Sequence, residues 1–165
     1  MTDISAREAL ALLREGNRRF VDGHGEPAPA LDPRRRAELV SGQEPFAVVL
    51  GCSDSRVPVE IVFDRGPGDL FVIRVVGNVA APSVIGSVEY AAASCGTRLV
   101  VVLGHSGCGA IQASIDELAR EAEHRSPHLR AIVDRIPPAI EDNVADPAAP
   151  DREHVRARSA RAPAR

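Results

Sequence analysis

A chain of 165 residues with 44% apolar side chains and a formal net charge of −3 can bury one core, yet it has no run of the about 18 to 20 apolar residues that cross a bilayer. All 20 basic residues are arginine, which excludes Schiff-base lysine chemistry and the Gly-Lys phosphate-binding loop; one tyrosine, no tryptophan and an acidic body argue against nucleic-acid binding. Three cysteines are an odd count for a disulfide scaffold, and the N-terminus is not of the basic-then-apolar secretory kind, so a cytoplasmic protein that uses its thiols for metal binding or catalysis is expected.

Residues 3 to 22 have the pattern of an amphipathic helix. Ser5 and Glu8 have capping-box spacing, and Ala9, Leu10, Leu13 and Phe20 share a face. Arg7, Arg14, Arg18 and Arg19 share the polar face, read as solvated, with packing on a partner subunit as the alternative. A Gly/Pro/Ala loop over residues 23 to 31 leads to a short helix with Asp32 as N-cap, Pro33 at its first position and Gly42 past its end. Phe46-Ala47-Val48-Val49-Leu50, bounded by Pro45 and Gly51, reads as a buried strand. A helical turn from Val57 to Phe63, a break at Gly66-Pro67-Gly68-Asp69 and a second buried strand from Leu70 to Val76 follow.

Ser83 to Cys95 is a helix closed by Gly96, with Val84, Ile85, Val88 and Ala92 on its apolar side. Leu99 to Leu103 is the third strand, and it feeds a helix from Gly107 to Glu123 carrying Ile111, Ile115 and Leu118. Ser126-Pro127 opens another helix, which Pro137-Pro138 interrupts. The order β-α-β-α-β-α predicts an α/β fold, a central parallel sheet with right-handed crossovers and flanking helices. Residues 1–150 form one domain in this reading. Residues 151–165 are an Arg/Ala-rich tail that is expected to be poorly ordered. From Arg152 to Arg165, five arginines against Glu153 alone give +4, which leaves −7 on the rest of the chain for the total of −3.

The first and third strands end alike. Gly51-Cys52-Ser53-Asp54-Ser55-Arg56 follows one, and Gly104-His105-Ser106-Gly107-Cys108-Gly109 follows the other. Ligands of open α/β sheets bind at the carboxyl ends of strands. If the two strands are parallel neighbours, Cys52, His105 and Cys108 converge as three of the four ligands a tetrahedral Zn²⁺ prefers. Cys95, at a helix C-terminus, reads as a packing residue. A fourth coordination position remains for water or for Asp54, which Arg56 can instead grip with a forked pair of hydrogen bonds. Two thiolates offset the charge of the ion, so bound water should be less acidified than at an all-histidine site, and activity is expected to rise into the alkaline range.

Cys52-Ser53-Asp54-Ser55-Arg56 together with His105-Ser106-Gly107-Cys108-Gly109, in this order and at this separation, resembles the β-class carbonic anhydrases over residues 5 to 145. The resemblance implies a cofactor Zn²⁺ on Cys52, His105 and Cys108, and reversible hydration of CO₂ to bicarbonate and a proton through zinc-bound hydroxide. Asp54 and Arg56 resemble the catalytic dyad, with Asp54 a metal ligand only in a closed resting state. Gln43, Phe71, Tyr90 and Gly109 resemble substrate-binding positions: Gln43 an amide, Gly109 a backbone N–H near the metal, and Phe71 and Tyr90 an apolar wall contributed across a dimer interface. A homodimer or higher homo-oligomer is therefore implied, with no nucleic-acid or membrane partner. The chain departs from the family beyond Asp151, where the final edge strand and helix are expected to be missing. Two alternatives stand beside the hydratase: a catalytically impaired zinc domain of the same fold, and a zinc lyase acting on a CO₂ analogue such as carbon disulfide.

Overall fold

A strand that is apolar on both faces needs cover on both sides, and Ala47–Cys52 (β1) has it, with all six residues buried. In the computed structural model of the chain, which describes residues 4–25, 33–118 and 126–136, β1 is the central strand. Leu70–Val75 (β2) and Val100–Leu103 (β3) flank it, both parallel to it, in the order β2-β1-β3. The predicted parallel sheet is therefore observed. Ala6–Val21 (α1) and Pro33–Leu39 (α2) precede β1, Val59–Val62 (α3) links β1 to β2, and Pro82–Ser94 (α4) links β2 to β3. Gly109–Leu118 (α5) and Pro127–Val133 (α6) follow β3.

One apolar cluster joins Leu13 of α1, Val59 and Phe63 of the α3 segment, and Ala47, Val49 and Leu70 of the sheet. A second lies at the C-terminal ends of the strands: Cys52, Cys108, Ala110, Ile111 and Ile136, with Val79 and Ile132 against them. The two sulfur side chains thus sit on an apolar floor built by α5 and α6.

The capping box at Ser5 and Glu8 forms in both directions, with Ser5 Oγ accepting from the Glu8 N–H and Glu8 Oε2 accepting from the Ser5 N–H at 2.9 Å; caps of this kind are worth about 1 kcal/mol. Phe20 departs from expectation, lying 43% exposed while Gly16 is buried. The reason is backbone contact: a Cβ on Gly16 would fall 1.8 Å from the Phe63 carbonyl oxygen, so α1 lies directly on that segment. Polar bonds complete the seam, Asn17 Nδ2 to the Val62 carbonyl at 3.0 Å and Arg19 Nε to Asp64 at 2.5 Å. Arg19 is therefore part of a packed joint rather than of a solvated face.

On α4 the inward stripe is Val84, Val88 and Ala91, at i, i+4 and i+7, while Ile85 and Ala92 face outward. The described helices and strands otherwise match expectation to within three residues: the first helix begins at Ala6 rather than residue 3, and the predicted Gly107–Glu123 helix begins at Gly109. Strand β2 stops at Val75 because Val76–Asn78 forms a 3₁₀ turn, with Gly77 at φ 68°. Asp32, the stretch from Ala119 to Glu123, Pro137-Pro138 and the tail from 151 lie outside the described residues, as does the region where the final edge strand is expected to be missing.

Candidate metal centre

Cys52 is the last residue of β1, while His105 and Cys108 stand in the loop between β3 and α5. Parallel pairing of β1 with β3, in register up to Gly51 opposite Leu103, puts both loops at one end of the sheet. Gly107 adopts φ 63°, a left-handed conformation that glycine enters without steric cost, and so turns the loop back so that Cys108 follows His105 toward the same point. The Cys52, His105 and Cys108 ligand atoms all lie within 4.8 Å of one another.

Three observations fit this group to a metal ion. The Cys52 and Cys108 sulfurs are 3.9 Å apart and both thiols are free. A disulfide requires about 2.05 Å, whereas a tetrahedral ion with bonds of about 2.3 Å to sulfur sets two sulfurs about 3.8 Å apart. The His105 Nδ1 lies 3.0 Å from the Ser106 carbonyl oxygen, which fixes it as the N–H nitrogen. His105 Nε2 is then a lone-pair acceptor, and it is buried with no hydrogen-bond partner among the described residues. A buried acceptor without a donor is costly, and a cation would satisfy it.

The thiols are electrostatically unequal. Burial pushes the Cys52 thiol up, but the His105 ring beside it, the Gly77 and Asp54 backbone N–H groups and Cys108 outweigh it and leave Cys52 below the usual thiol value. Burial pushes Cys108 up, and the negative charge of Cys52 adds to the rise against the helping N–H groups of Ala110 and Ile111. One thiolate is thus favoured by the protein, whereas two side by side call for a cation.

Asp54 lies beside this group. Its Oδ2 is 3.9 Å from His105 Nε2, and its side chain is 15% exposed. Arg56 grips it with Nε to Oδ1 at 2.9 Å and Nη2 to Oδ2 at 2.6 Å, and the Arg56 N–H adds a bond to Oδ1 at 3.0 Å. The same guanidinium donates to the Gly107 carbonyl at 2.9 Å, tying the two loops together. These bonds, above all the fork from Arg56, hold the Asp54 carboxyl well below the usual carboxylate range. In this arrangement the carboxylate is engaged by Arg56 and stands outside the three-ligand group.

The remaining candidates are dispersed. Gly109 is the first residue of α5, directly after Cys108. Gln43 is exposed in the loop before β1, and the first residue of that strand, Ala47, is already about 17 Å from Cys52 at the usual rise. Phe71 pairs in register with Val48, four residues upstream of Cys52, about 13 Å along the strand. Its ring lies 6.1 Å from that of Tyr90, tilted by 41°, and Tyr90 is 57% exposed. Within one chain, Gln43, Phe71 and Tyr90 are not brought to the sulfurs.

Two polar residues at the site, Arg74 and Asn78, are not marked out by sequence reasoning. Arg74 donates to the backbone carbonyls of Cys52 and Asp54, and Asn78 donates to that of Leu103. The one signal for Arg74 is an arginine inside the otherwise apolar run Leu70-Phe71-Val72-Ile73-Arg74-Val75.

A parallel sheet that offers two thiols and an imidazole from neighbouring strand tips defines an α/β domain with a candidate metal centre. The sequence pattern of the carbonic anhydrase family matches residues 47–163. The chain is 48% identical over 133 residues to a carbonic anhydrase of Mycolicibacterium smegmatis and 43% identical over 133 residues to carbonic anhydrase 2 of Mycobacterium tuberculosis. Each match covers 80% of this chain and 63% of the relative, so the chain spans less than two thirds of their length. Among solved structures, the β-carbonic anhydrase CafA of Aspergillus fumigatus superposes with a TM-score of 0.64 at 26% identity, over 92% of this chain and 68% of that one. The β-carbonic anhydrase of Coccomyxa, at 23% identity over 92% of this chain and 66% of that one, shares the fold with a TM-score of 0.65. The chain belongs to the carbonic anhydrase family, and its fold is that of the β class.

Proposed function

We propose that this chain catalyses the reversible hydration of CO₂ to bicarbonate and a proton, using a zinc ion held by Cys52, His105 and Cys108. The observation that carries the proposal is the unpartnered, buried His105 Nε2 facing two thiols 3.9 Å apart, with an ionised carboxylate beside it. When bound, zinc supplies the Lewis acidity that turns water into a nucleophile near neutral to alkaline pH.

The chain supplies orientation. Asp54, kept ionised by Arg56, can only accept a hydrogen bond, so it fixes the direction of the O–H of a nucleophile at the open corner of the site. Arg56 commits both carboxylate oxygens to its fork, and so would hold the carboxylate off a metal bound by the three ligands. The Gly109 N–H, at the start of α5, would donate to a bicarbonate oxygen, and the partial positive charge of that helix end would favour the anion. The apolar floor of Ile111, Ile136, Val79 and Ile132 under the thiols suits a nonpolar gas as substrate.

Gln43, Phe71 and Tyr90 complete the substrate pocket from a second copy of the chain in this reading. Their distance from the sulfurs of their own chain supports that arrangement, as do the exposed apolar side chains of Ile85, Tyr90, Val100 and Val102. A homodimer is thus the smallest active unit. Free thiols suit a cytoplasmic setting, and no helix among the described residues is long and apolar enough to cross a membrane.

Stopped-flow CO₂ hydration on protein of measured zinc content tests the proposal. Saturable turnover above the buffer rate is expected, rising from neutral pH to about pH 9 because two thiolates weaken water acidification. Asp54 does not set that slope, since its carboxyl is held far below the assay range. Zinc-replete protein with no rate above buffer would overturn the assignment.

A further inference from the structure

The register of β1 with β3 ends at Gly51 opposite Leu103. Every ligand lies past that last pair: Cys52 by one residue on its strand, His105 and Cys108 by two and five on the other. The sheet ladder alone therefore does not set the separation of the two ligand loops. Strand β2 contributes no ligand and is not a neighbour of β3, yet side chains from its C-terminal end and the turn after it reach the first ligand loop and the tip of β3.

We propose that Arg74 and Asn78 are positioning residues that clasp the first ligand loop and the tip of β3 from the end of β2 and the turn after it, fixing the separation at which Cys52, His105 and Cys108 meet one metal ion. Arg74, opposite Gly51 in the register, spans the first loop with its guanidinium: Nε donates to the Cys52 carbonyl at 2.9 Å and Nη2 to the Asp54 carbonyl at 2.6 Å. The two acceptors straddle Ser53, whose own N–H donates to the Val75 carbonyl at 3.1 Å. A planar fork on carbonyls either side of one residue fixes the direction of the backbone that carries both the Cys52 thiol and the Asp54 carboxylate.

Asn78 reaches past β1 to the tip of β3, its Nδ2 donating at 2.7 Å to the carbonyl of Leu103, the last residue of that strand and two before His105. The turn that aims it has Gly77 at φ 68° and Asn78 at φ 54°, left-handed values that asparagine tolerates better than most side chains. At Gly77 a Cβ would fall 3.0 Å from the Ala110 Cβ and 3.1 Å from the Ile136 Cδ1, so the turn is packed against the apolar floor of the site. The clasp is thus anchored to the structure that backs the thiols.

The inference rests on the zinc reading above, and its test separates the two. Zinc affinity is measured by competition with a chromophoric chelator, and cobalt(II)-substituted protein is compared by its thiolate charge-transfer and d–d bands. If the unaltered chain binds no zinc, the zinc reading fails. If it binds, Arg74→Gln and Asn78→Gly, the latter keeping the positive φ easy, are each expected to weaken zinc by about 10- to 100-fold and to alter the cobalt bands, with unchanged far-ultraviolet circular dichroism. Arg74→Lys, which keeps the charge but can reach only one carbonyl, should fall between; if Arg74→Gln does not fold, Arg74→Lys and Asn78→Gly carry the test. Affinity within twofold of the unaltered chain and unchanged cobalt bands in the folded variants, or full restoration by Arg74→Lys, would overturn the clasp.

Discussion

Cys108→Ser protein is expected to lose its zinc, with affinity falling by more than the about 100-fold that loss of an outer-shell partner costs. The Cys108 sulfur is one of two placed 3.9 Å apart, and a serine hydroxyl, hardly ionised at neutral pH, cannot replace the thiolate whose charge the site balances against the ion. Cys95→Ser is the matched control. Cys95 is the C-cap of α4, half-buried and outside the ligand group, so its zinc content should equal that of the unaltered chain. Metal analysis of the two variants after dialysis against a weak chelator reads the difference. Zinc lost equally from both, or retained by both, would contradict the ligand set.

Asp54→Asn should behave in the opposite way, keeping zinc while losing turnover by about 10²- to 10⁴-fold, the range that a positioned proton acceptor contributes. Asparagine has nearly the same shape, but its amide can donate at the position where the carboxylate only accepts, and it loses the charge-assisted fork to Arg56. The pH dependence has a definite sign. The folded-state Asp54 pKa is depressed, so its contribution to stability is present above the unfolded carboxyl value of about 3.9 and is lost as pH falls through the folded value. Asp54→Asn should therefore flatten the acid side of a stability-against-pH curve and leave the alkaline rise of any remaining activity in place. Full turnover in the zinc-loaded variant would remove Asp54 from the mechanism.

Much of the fold and of the metal centre is legible in the sequence because the informative residues obey short-range rules. The strand at β1 is apolar on both faces, Ser5 and Glu8 form their box, and the His105-Ser106-Gly107-Cys108 spacing with a left-handed glycine closes the loop locally. What the sequence does not display depends on which surfaces meet. Phe20 reads as core because it follows the spacing of Leu13, but Gly16 brings α1 so close to the Phe63 carbonyl that polar bonds take over the final turns. Ile85 reads as inward by composition, yet the stripe that meets β2 runs through Val84, Val88 and Ala91. Arg74 and Asn78 have backbone carbonyls 20 to 25 positions away as partners, and carbonyl acceptors leave no trace in residue identity. Gln43, Phe71 and Tyr90 stand far from the sulfurs of their own chain, and the part proposed for them would need a second copy, which one sequence does not display.

The central claim is that the tips of β1 and β3 hold one zinc ion through two sulfurs and one imidazole nitrogen. Zinc K-edge X-ray absorption on the purified, zinc-loaded chain measures that ligand shell directly. The account predicts two sulfurs at about 2.3 Å and a nitrogen at about 2.0 to 2.1 Å, with a fourth, light-atom ligand. A shell of oxygen and nitrogen alone, with no zinc–sulfur distance, would contradict it.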